Sequence, residues 1–130
     1  MRKVLFVCSA NLDRSPRAQK LFNNWKGKWE ARSAGITASS EGTALTQAVI
    51  DWAELVLVME PAHAQFLHDH FKCDPNKVRV LNIRTHPGDS KLIKELMRKV
   101  PPILEMDDPT SHITGKIDAR KLKGIGGRYD

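Results

Sequence analysis

Short strand-like runs alternate along this chain with segments of helical periodicity, and this alternation is the strongest constraint on its fold. The runs lie at residues 3–7, 29–35, 54–59 and 78–83. The segments between them carry apolar side chains three and four positions apart, which is typical of amphipathic helices. Strands that alternate with helices predict a four-stranded parallel sheet with helices on both faces, which is a three-layer α/β architecture.

The helical segments have recognisable starts. Helices are predicted over residues 15–26, from Thr43 or Thr46, from Pro61, and over residues 89–100. Ser15 can cap the first helix through its hydroxyl, and Pro16 fits the first helical position. His63, His68 and His70 fall on the third helix at successive spacings of five and two, neither of which places neighbours on one face, so we expect them to be solvated helix residues and not metal ligands.

The length of the chain allows one sizeable core. With 130 residues, we expect one α/β domain over residues 1–100 and a C-terminal extension over 101–130 that packs on it or is partly mobile. No apolar run approaches the roughly 20 residues that span a bilayer. The run Val4–Val7 is too short for a signal peptide. We therefore expect a cytoplasmic protein without a membrane partner.

Charge and cysteine content narrow the possible ligands. The net charge of +6 favours anionic ligands. Nucleic acid is not expected, because no stripe of interleaved basic and aromatic residues is present. Cys8 and Cys73 are expected to be thiols, since no export signal points to an oxidising compartment. The cysteines and histidines do not have the spacing of a metal site, and we predict no metal.

The segment "CSANLDRS", residues 8–15, follows the first predicted strand and opens the first predicted helix. Ligands of such sheets bind beyond the carboxyl ends of the strands. A loop there can direct its backbone N–H groups at an anion, and the helix start adds a positive field that also stabilises a thiolate. Arg14 supplies a planar fork that can bind two phosphate oxygens, and Ser15 can donate a hydrogen bond to the Cys8 thiolate.

These residues form one candidate site. Each has an ordinary structural interpretation by itself: a small buried cysteine, a surface arginine, a helix start. Their joint spacing after a strand favours a nucleophile at the floor of an anion site. The predicted catalytic residues are Cys8, Arg14 and Ser15, and the predicted substrate-binding residues are Ser9, Ala10, Asn11, Leu12 and Asp13.

This pattern resembles the C-x5-R-S phosphate loop of the low-molecular-weight protein tyrosine phosphatases. Asn11 matches an asparagine that braces the loop in that family, and Ser33–Gly35 matches the end of its second strand. The segment Trp52–Glu60 is similar to a short predicted-phosphatase branch. The resemblance implies the phosphotyrosine protein phosphatase I-like fold.

The resemblance also implies a reaction. A phosphatase of this type hydrolyses phosphate monoesters, above all protein phosphotyrosine, through a phosphocysteine intermediate and without a cofactor. Its partners would be a phosphorylated protein or a small phosphate ester, and its loop would bind inorganic phosphate or sulfate. The family's general acid is an aspartate in an Asp-Pro loop after the fourth strand. Here that segment contains Asp89 without a following proline, so Asp89 is the candidate, with His86 and Asp108 as alternatives.

Three other functions stay open at this point. An arsenate reductase of the same fold would need a second thiol, and Cys73 is the other cysteine of the chain. A catalytically weak phosphate-binding module would explain the missing Asp-Pro pair. A phosphatase acting on RNA or on a small metabolite would fit the positive net charge.

Overall fold

The fold is built on a sheet of four parallel strands. A computed structural model describes residues 1–10, 14–37, 42–84 and 90–106. The strands are β1 (Arg2–Cys8), β2 (Trp29–Gly35), β3 (Leu55–Val58) and β4 (Val78–Val80), and the helices are α1 (Arg14–Phe22), α2 (Gln47–Trp52), α3 (Pro61–His70) and α4 (Ser90–Met106). The strand order is β2-β1-β3-β4. All three strand pairs are parallel, and the predicted fold class is confirmed.

Each face of the sheet carries its own apolar cluster, because successive strand side chains point to opposite faces. Phe6 and Leu57 pack against α1 and α4 on one face. Val7 and Val58 pack against α2 and α3 on the other. Burial on both faces explains why β1 and β3 are continuously apolar in sequence and do not alternate with polar residues.

The register brings the carboxyl ends of the strands to one edge. Cys8 pairs with Gly35, Val7 with Val58, and Val58 with Val80. β4 is shorter than the predicted strand 78–83. The backbone nevertheless stays hydrogen-bonded to β3 beyond Val80, since the Ile83 N–H donates to the Met59 carbonyl at 2.8 Å. Ile83 therefore reaches the same edge as Cys8.

Helix boundaries refine two predictions. Thr46, and not Thr43, caps α2, because its hydroxyl accepts a hydrogen bond from the Val49 N–H at 3.2 Å. α4 extends beyond the predicted end at residue 100 and reaches Met106. Its buried positions, Leu92, Leu96, Val100 and Leu104, are spaced by four residues. That spacing keeps one face of the helix on the core across residue 100.

The predicted division of the chain at residue 100 stays a prediction. α4 crosses that position, and residues 107–130 lie outside the described part of the chain. Among the helices of the described ranges, none has the length and apolar character required to cross a membrane.

Candidate active site

Cys8 and Ser15 form the floor of the candidate site. Cys8 is the last residue of β1 and is only 3% exposed. Its Sγ lies 2.9 Å from the Oγ of Ser15, which is fully buried. The Ser15 hydroxyl can also donate to the Ala34 carbonyl, at the longer distance of 3.4 Å. When Cys8 is a thiolate, it has no proton to give, so the hydrogen bond must run from the Ser15 hydroxyl to sulfur.

The predicted helix-capping role of Ser15 is wrong. α1 already begins at Arg14, so Ser15 lies inside the helix, and its side chain is turned toward the end of β1. A buried serine in a helix normally has a partner for its hydroxyl. Here Cys8 is that partner, which favours a role in the chemistry of the thiol over a role at the helix terminus.

Arg14 is held by two acceptors from neighbouring strand ends. Its Nη1 donates to Glu60 Oε2 at 2.7 Å and to the Ile83 carbonyl at 2.8 Å. These two bonds use both hydrogens of Nη1. The Nη2 and Nε hydrogens make up the other edge of the guanidinium, which is the edge that can bind two oxygens of an anion.

Glu60 is a site residue that the sequence analysis missed. Hydrogen bonding to Arg14 is the main cause that lowers the pKa of Glu60, against a smaller opposing effect of burial. Arg84 lies 3.7 Å from the other carboxylate oxygen but is largely exposed. Its position in the sequence could have revealed it. Glu60 comes just after the end of β3, and β3 lies next to β1, which ends at Cys8.

The start of the loop after β1 is tied to the chain that follows β2. The Ile36 N–H donates to the Cys8 carbonyl at 3.1 Å, and the Thr37 N–H donates to the Ser9 carbonyl at 2.8 Å. The Thr37 hydroxyl donates to the same Ser9 carbonyl at 3.1 Å. The backbone on both sides of the Cys8–Ser9 peptide therefore has fixed hydrogen-bond partners, which limits the positions available to Sγ.

His63 joins this network from α3. It is 2% exposed, so the prediction that it is a solvated helix residue is wrong. Its Nδ1 accepts a hydrogen bond from the Glu60 N–H at 3.1 Å, and its Nε2 lies 3.1 Å from Ser9 Oγ. Burial lowers the pKa of His63, with a weaker opposing effect from Glu60. The imidazole therefore remains neutral at pH 7.

The structure brings Cys8, Ser9, Arg14 and Ser15 of the predicted site to one edge of the sheet, with Ala10 next along the loop. Asn11, Leu12, Asp13 and Asp89, and the alternative acids His86 and Asp108, lie outside the described residues. Within the described ranges, no group of three or more His, Cys, Asp or Glu side chains could hold a metal ion.

Cys73 lies apart from this edge. It follows α3 and precedes the short 3-10 helix Pro75–Lys77 that leads into the start of β4. Its half-buried side chain packs on the cluster of α2 and α3, whereas Cys8 belongs to the cluster on the other face of the sheet. Burial raises the pKa of the Cys73 thiol.

Comparison with known proteins identifies the family that this chain is similar to. The sequence model of the low molecular weight phosphotyrosine protein phosphatases matches residues 3–54. That range contains the whole C-x5-R-S segment and β2. No curated protein sequence matches the chain significantly.

Solved structures of the same fold include three informative relatives. The low molecular weight protein tyrosine phosphatase of T. tengcongensis has a TM-score of 0.67 and 25% identity, over 81% of this chain and 99% of that one. The Bacillus subtilis low molecular weight protein tyrosine phosphatase has a TM-score of 0.63 and 25% identity, over 81% and 98%. The YwlE arginine phosphatase of Geobacillus stearothermophilus has a TM-score of 0.64 and 21% identity, over 95% and 97%.

The sequence match covers the strand, loop and helix that carry Cys8, Arg14 and Ser15, and the structural matches extend over most of the chain. The predicted resemblance to the low molecular weight protein tyrosine phosphatase family is therefore confirmed, in sequence over residues 3–54 and in fold over four-fifths of the chain or more.

Proposed function

We propose that this chain is a cysteine-dependent phosphatase that hydrolyses phosphate monoesters, with protein phosphotyrosine as its substrate. The observation that carries the proposal is the buried contact of 2.9 Å between Cys8 Sγ and the Ser15 hydroxyl, at the carboxyl edge of the sheet. A thiol used only for packing needs no hydroxyl partner. A thiolate nucleophile does, because a donated hydrogen bond stabilises its negative charge.

The first step forms a bond between sulfur and phosphorus. The Cys8 thiolate attacks the phosphorus of the bound monoester, and the bond from phosphorus to the leaving oxygen breaks. α1 begins at Arg14, beside Cys8, so the positive end of its dipole favours the anionic phosphoryl group. The products of this step are a phosphocysteine and an alcohol or phenol.

Arg14 stabilises the phosphoryl group during transfer. Negative charge is spread over three phosphoryl oxygens in the transition state, and preorganised donors there lower the barrier. Glu60 and the Ile83 carbonyl orient the guanidinium before the substrate arrives. The edge formed by Nε and Nη2 can then bind two phosphoryl oxygens without first being reoriented.

Asp89 is proposed as the general acid. It gives a proton to the leaving oxygen in the first step. As a carboxylate it then takes a proton from the water that attacks the phosphocysteine, which releases inorganic phosphate and the Cys8 thiolate. No metal or organic cofactor is used.

Phosphotyrosine is proposed because the matching family model is that of phosphotyrosine protein phosphatases. Two of the structural relatives with 25% identity are protein tyrosine phosphatases. The similarity to an arginine phosphatase, at 21% identity, is an argument about fold alone. The arsenate reductase alternative is weakened by Cys73, which lies on the other core cluster from Cys8 and has a raised thiol pKa.

Replacing Cys8 with serine tests the nucleophile. We expect Cys8→Ser to abolish turnover of 4-nitrophenyl phosphate and of a phosphotyrosine peptide, with unchanged circular dichroism, because a serine hydroxyl is not ionised at pH 7. Cys73→Ser is the matched control and should keep full activity. Wild-type protein that binds phosphate but turns over neither substrate would favour the phosphate-binding module. Preference for a phosphoarginine peptide would contradict the proposed substrate.

Arg14→Lys tests the fork. Lysine keeps the charge, but its single nitrogen cannot bind Glu60, the Ile83 carbonyl and two phosphate oxygens together. We expect kcat/KM to fall by more than about tenfold, equivalent to about 1.4 kcal/mol of transition-state stabilisation. Arg98→Lys, on the exposed side of α4, is the control and should leave kcat/KM unchanged. A smaller loss in Arg14→Lys would show that Arg14 is not the main phosphate ligand.

Glu60→Gln tests the electrostatic role of the Arg14 partner. Since Arg14 lowers the pKa of Glu60, the ion pair contributes its full stability above pH 4.5, the ordinary glutamate value, and loses it as the pH falls through the lowered folded value. We expect the unfolding free energy of wild type minus that of Glu60→Gln, measured in urea, to be constant near neutrality and to shrink below about pH 4.5.

Glu54→Gln is the control for this substitution. Glu54 pairs with Arg2 and is 47% exposed, whereas Glu60 is 27% exposed. Solvent screens the more exposed pair more strongly, so Glu54→Gln should change the unfolding free energy at neutral pH less than Glu60→Gln does. A Glu60 difference that does not change with pH would show that the ion pair with Arg14 does not contribute to stability.

Asp89→Asn tests the general acid with two substrates. An aryl phosphate with a nitrophenolate leaving group departs without a proton, whereas an alkyl phosphate requires one. We expect a much larger loss of kcat on the alkyl phosphate, on the order of 10²-fold or more. Equal losses on both substrates, or none, would reject Asp89 and transfer the role to His86 or Asp108.

A further inference from the structure

A buried polar bridge connects the two halves of the candidate site. Ser9, directly after the nucleophile, contacts His63 Nε2 through its hydroxyl at 3.1 Å. The other ring nitrogen of His63 accepts from the backbone N–H of Glu60 at 3.1 Å. The carboxylate of the same Glu60 holds Arg14. One side chain of α3 therefore touches both the strand end that carries Cys8 and the residue that orients Arg14.

The donors and acceptors of this bridge define the tautomer of His63. A backbone N–H can only donate, so Nδ1 must carry a lone pair, and the proton of the neutral ring is on Nε2. Nε2–H then donates to Ser9 Oγ. The hydroxyl of Ser9, having accepted this bond, keeps its own proton for a donation elsewhere.

We infer that His63 is a positioning residue: it fixes Ser9 and Glu60 relative to each other, and with them Cys8 and the Nε–Nη2 edge of Arg14. This inference rests on the proposed function, because it assigns His63 to the same anion site. A histidine is suited to the task, since its two nitrogens lie on opposite sides of a rigid ring and can join two groups that do not touch. The requirement for a neutral ring also makes the bridge sensitive to acid.

Protonation of His63 would oppose the bridge. A proton on Nδ1 would face the Glu60 N–H, so that hydrogen bond would be lost. Among the described residues, the charged groups that act on the ring are Glu60, which favours the imidazolium, and Arg14, which opposes it. Cys8 is the other titratable group at this end of β1. Anion binding should therefore weaken in acid for a reason specific to His63.

The experiment measures sulfate binding as protection of Cys8 from iodoacetamide. Sulfate keeps its charge between pH 5 and 8, and the readout is the sulfate concentration that halves the alkylation rate. Two amide substitutions of His63 separate its contact with Ser9 from its contact with the Glu60 N–H. His63→Asn keeps an acceptor for the nearby backbone N–H but does not reach Ser9. His63→Gln extends an amide N–H toward Ser9. Ser9→Ala removes the hydroxyl that accepts from His63 Nε2. His68 is exposed on α3, so His68→Asn is the matched control.

We expect the half-protecting concentration to rise about fivefold in Ser9→Ala and in His63→Asn, as for the loss of one hydrogen bond. The double variant Ser9→Ala/His63→Asn should match the single ones, and His63→Gln, which keeps the contact to Ser9 but loses the acceptor for the Glu60 N–H, should show a smaller rise above wild type. The half-protecting concentration of the wild type, divided by that of His63→Gln, should rise as the pH falls below 6.5 and through the lowered pKa of His63, because only the wild type has a ring to protonate at this position.

Additive losses in the double variant, or a ratio that is constant with pH, would overturn the inference. So would a His63→Asn variant with a lower melting temperature and unchanged sulfate binding, which would make His63 structural only. If the His63 variants do not fold, Ser9→Ala is the remaining test of the bridge. Unchanged sulfate binding in Ser9→Ala would reject the bridge. Turnover of 4-nitrophenyl phosphate by the wild type tests the proposed function separately, because sulfate protection does not require catalysis.

Discussion

The ion pair between Arg14 and Glu60 is the interaction on which the geometry of the site depends. Arg14 is 15% exposed, and a guanidinium with so little water must have protein acceptors. Glu60 and the Ile83 carbonyl supply them from the ends of neighbouring strands. Both acceptors are bound by Nη1, so the Nε and Nη2 hydrogens make up the edge of the guanidinium that can bind an anion.

Backbone pairing makes this arrangement rigid. The parallel register aligns Cys8, Gly35 and Val58 with the end of the sheet, and further hydrogen bonds continue past the strands through Thr37 and Ile83. Helices cover both faces of the sheet and bury its apolar side chains, so the strand ends cannot shift without disturbing two apolar clusters. The polar side chains of the site are thus carried by elements whose positions are fixed by packing.

Local sequence patterns predicted most of the fold, but the site only in part. Strand composition and helical spacing depend on neighbours within a few residues, and they gave the element order and the sheet type. The C-x5-R-S segment was also local, and it identified Cys8, Arg14 and Ser15. Glu60 was missed because its partner lies 46 residues away in sequence. Only the pairing of β1 with β3 brings the two together.

The sequence by itself therefore determined the parallel α/β architecture, the family resemblance, and the location of a cysteine and an arginine beside a helix start, since each follows from contiguous residues. Tertiary structure decided what those residues touch. Ser15 contacts sulfur and does not cap α1, and His63 is buried between Ser9 and Glu60 although its helix carries other, exposed histidines. Both outcomes depend on which strand ends are adjacent, and adjacency in a parallel sheet is set by long-range packing and crossover connections, not by local sequence.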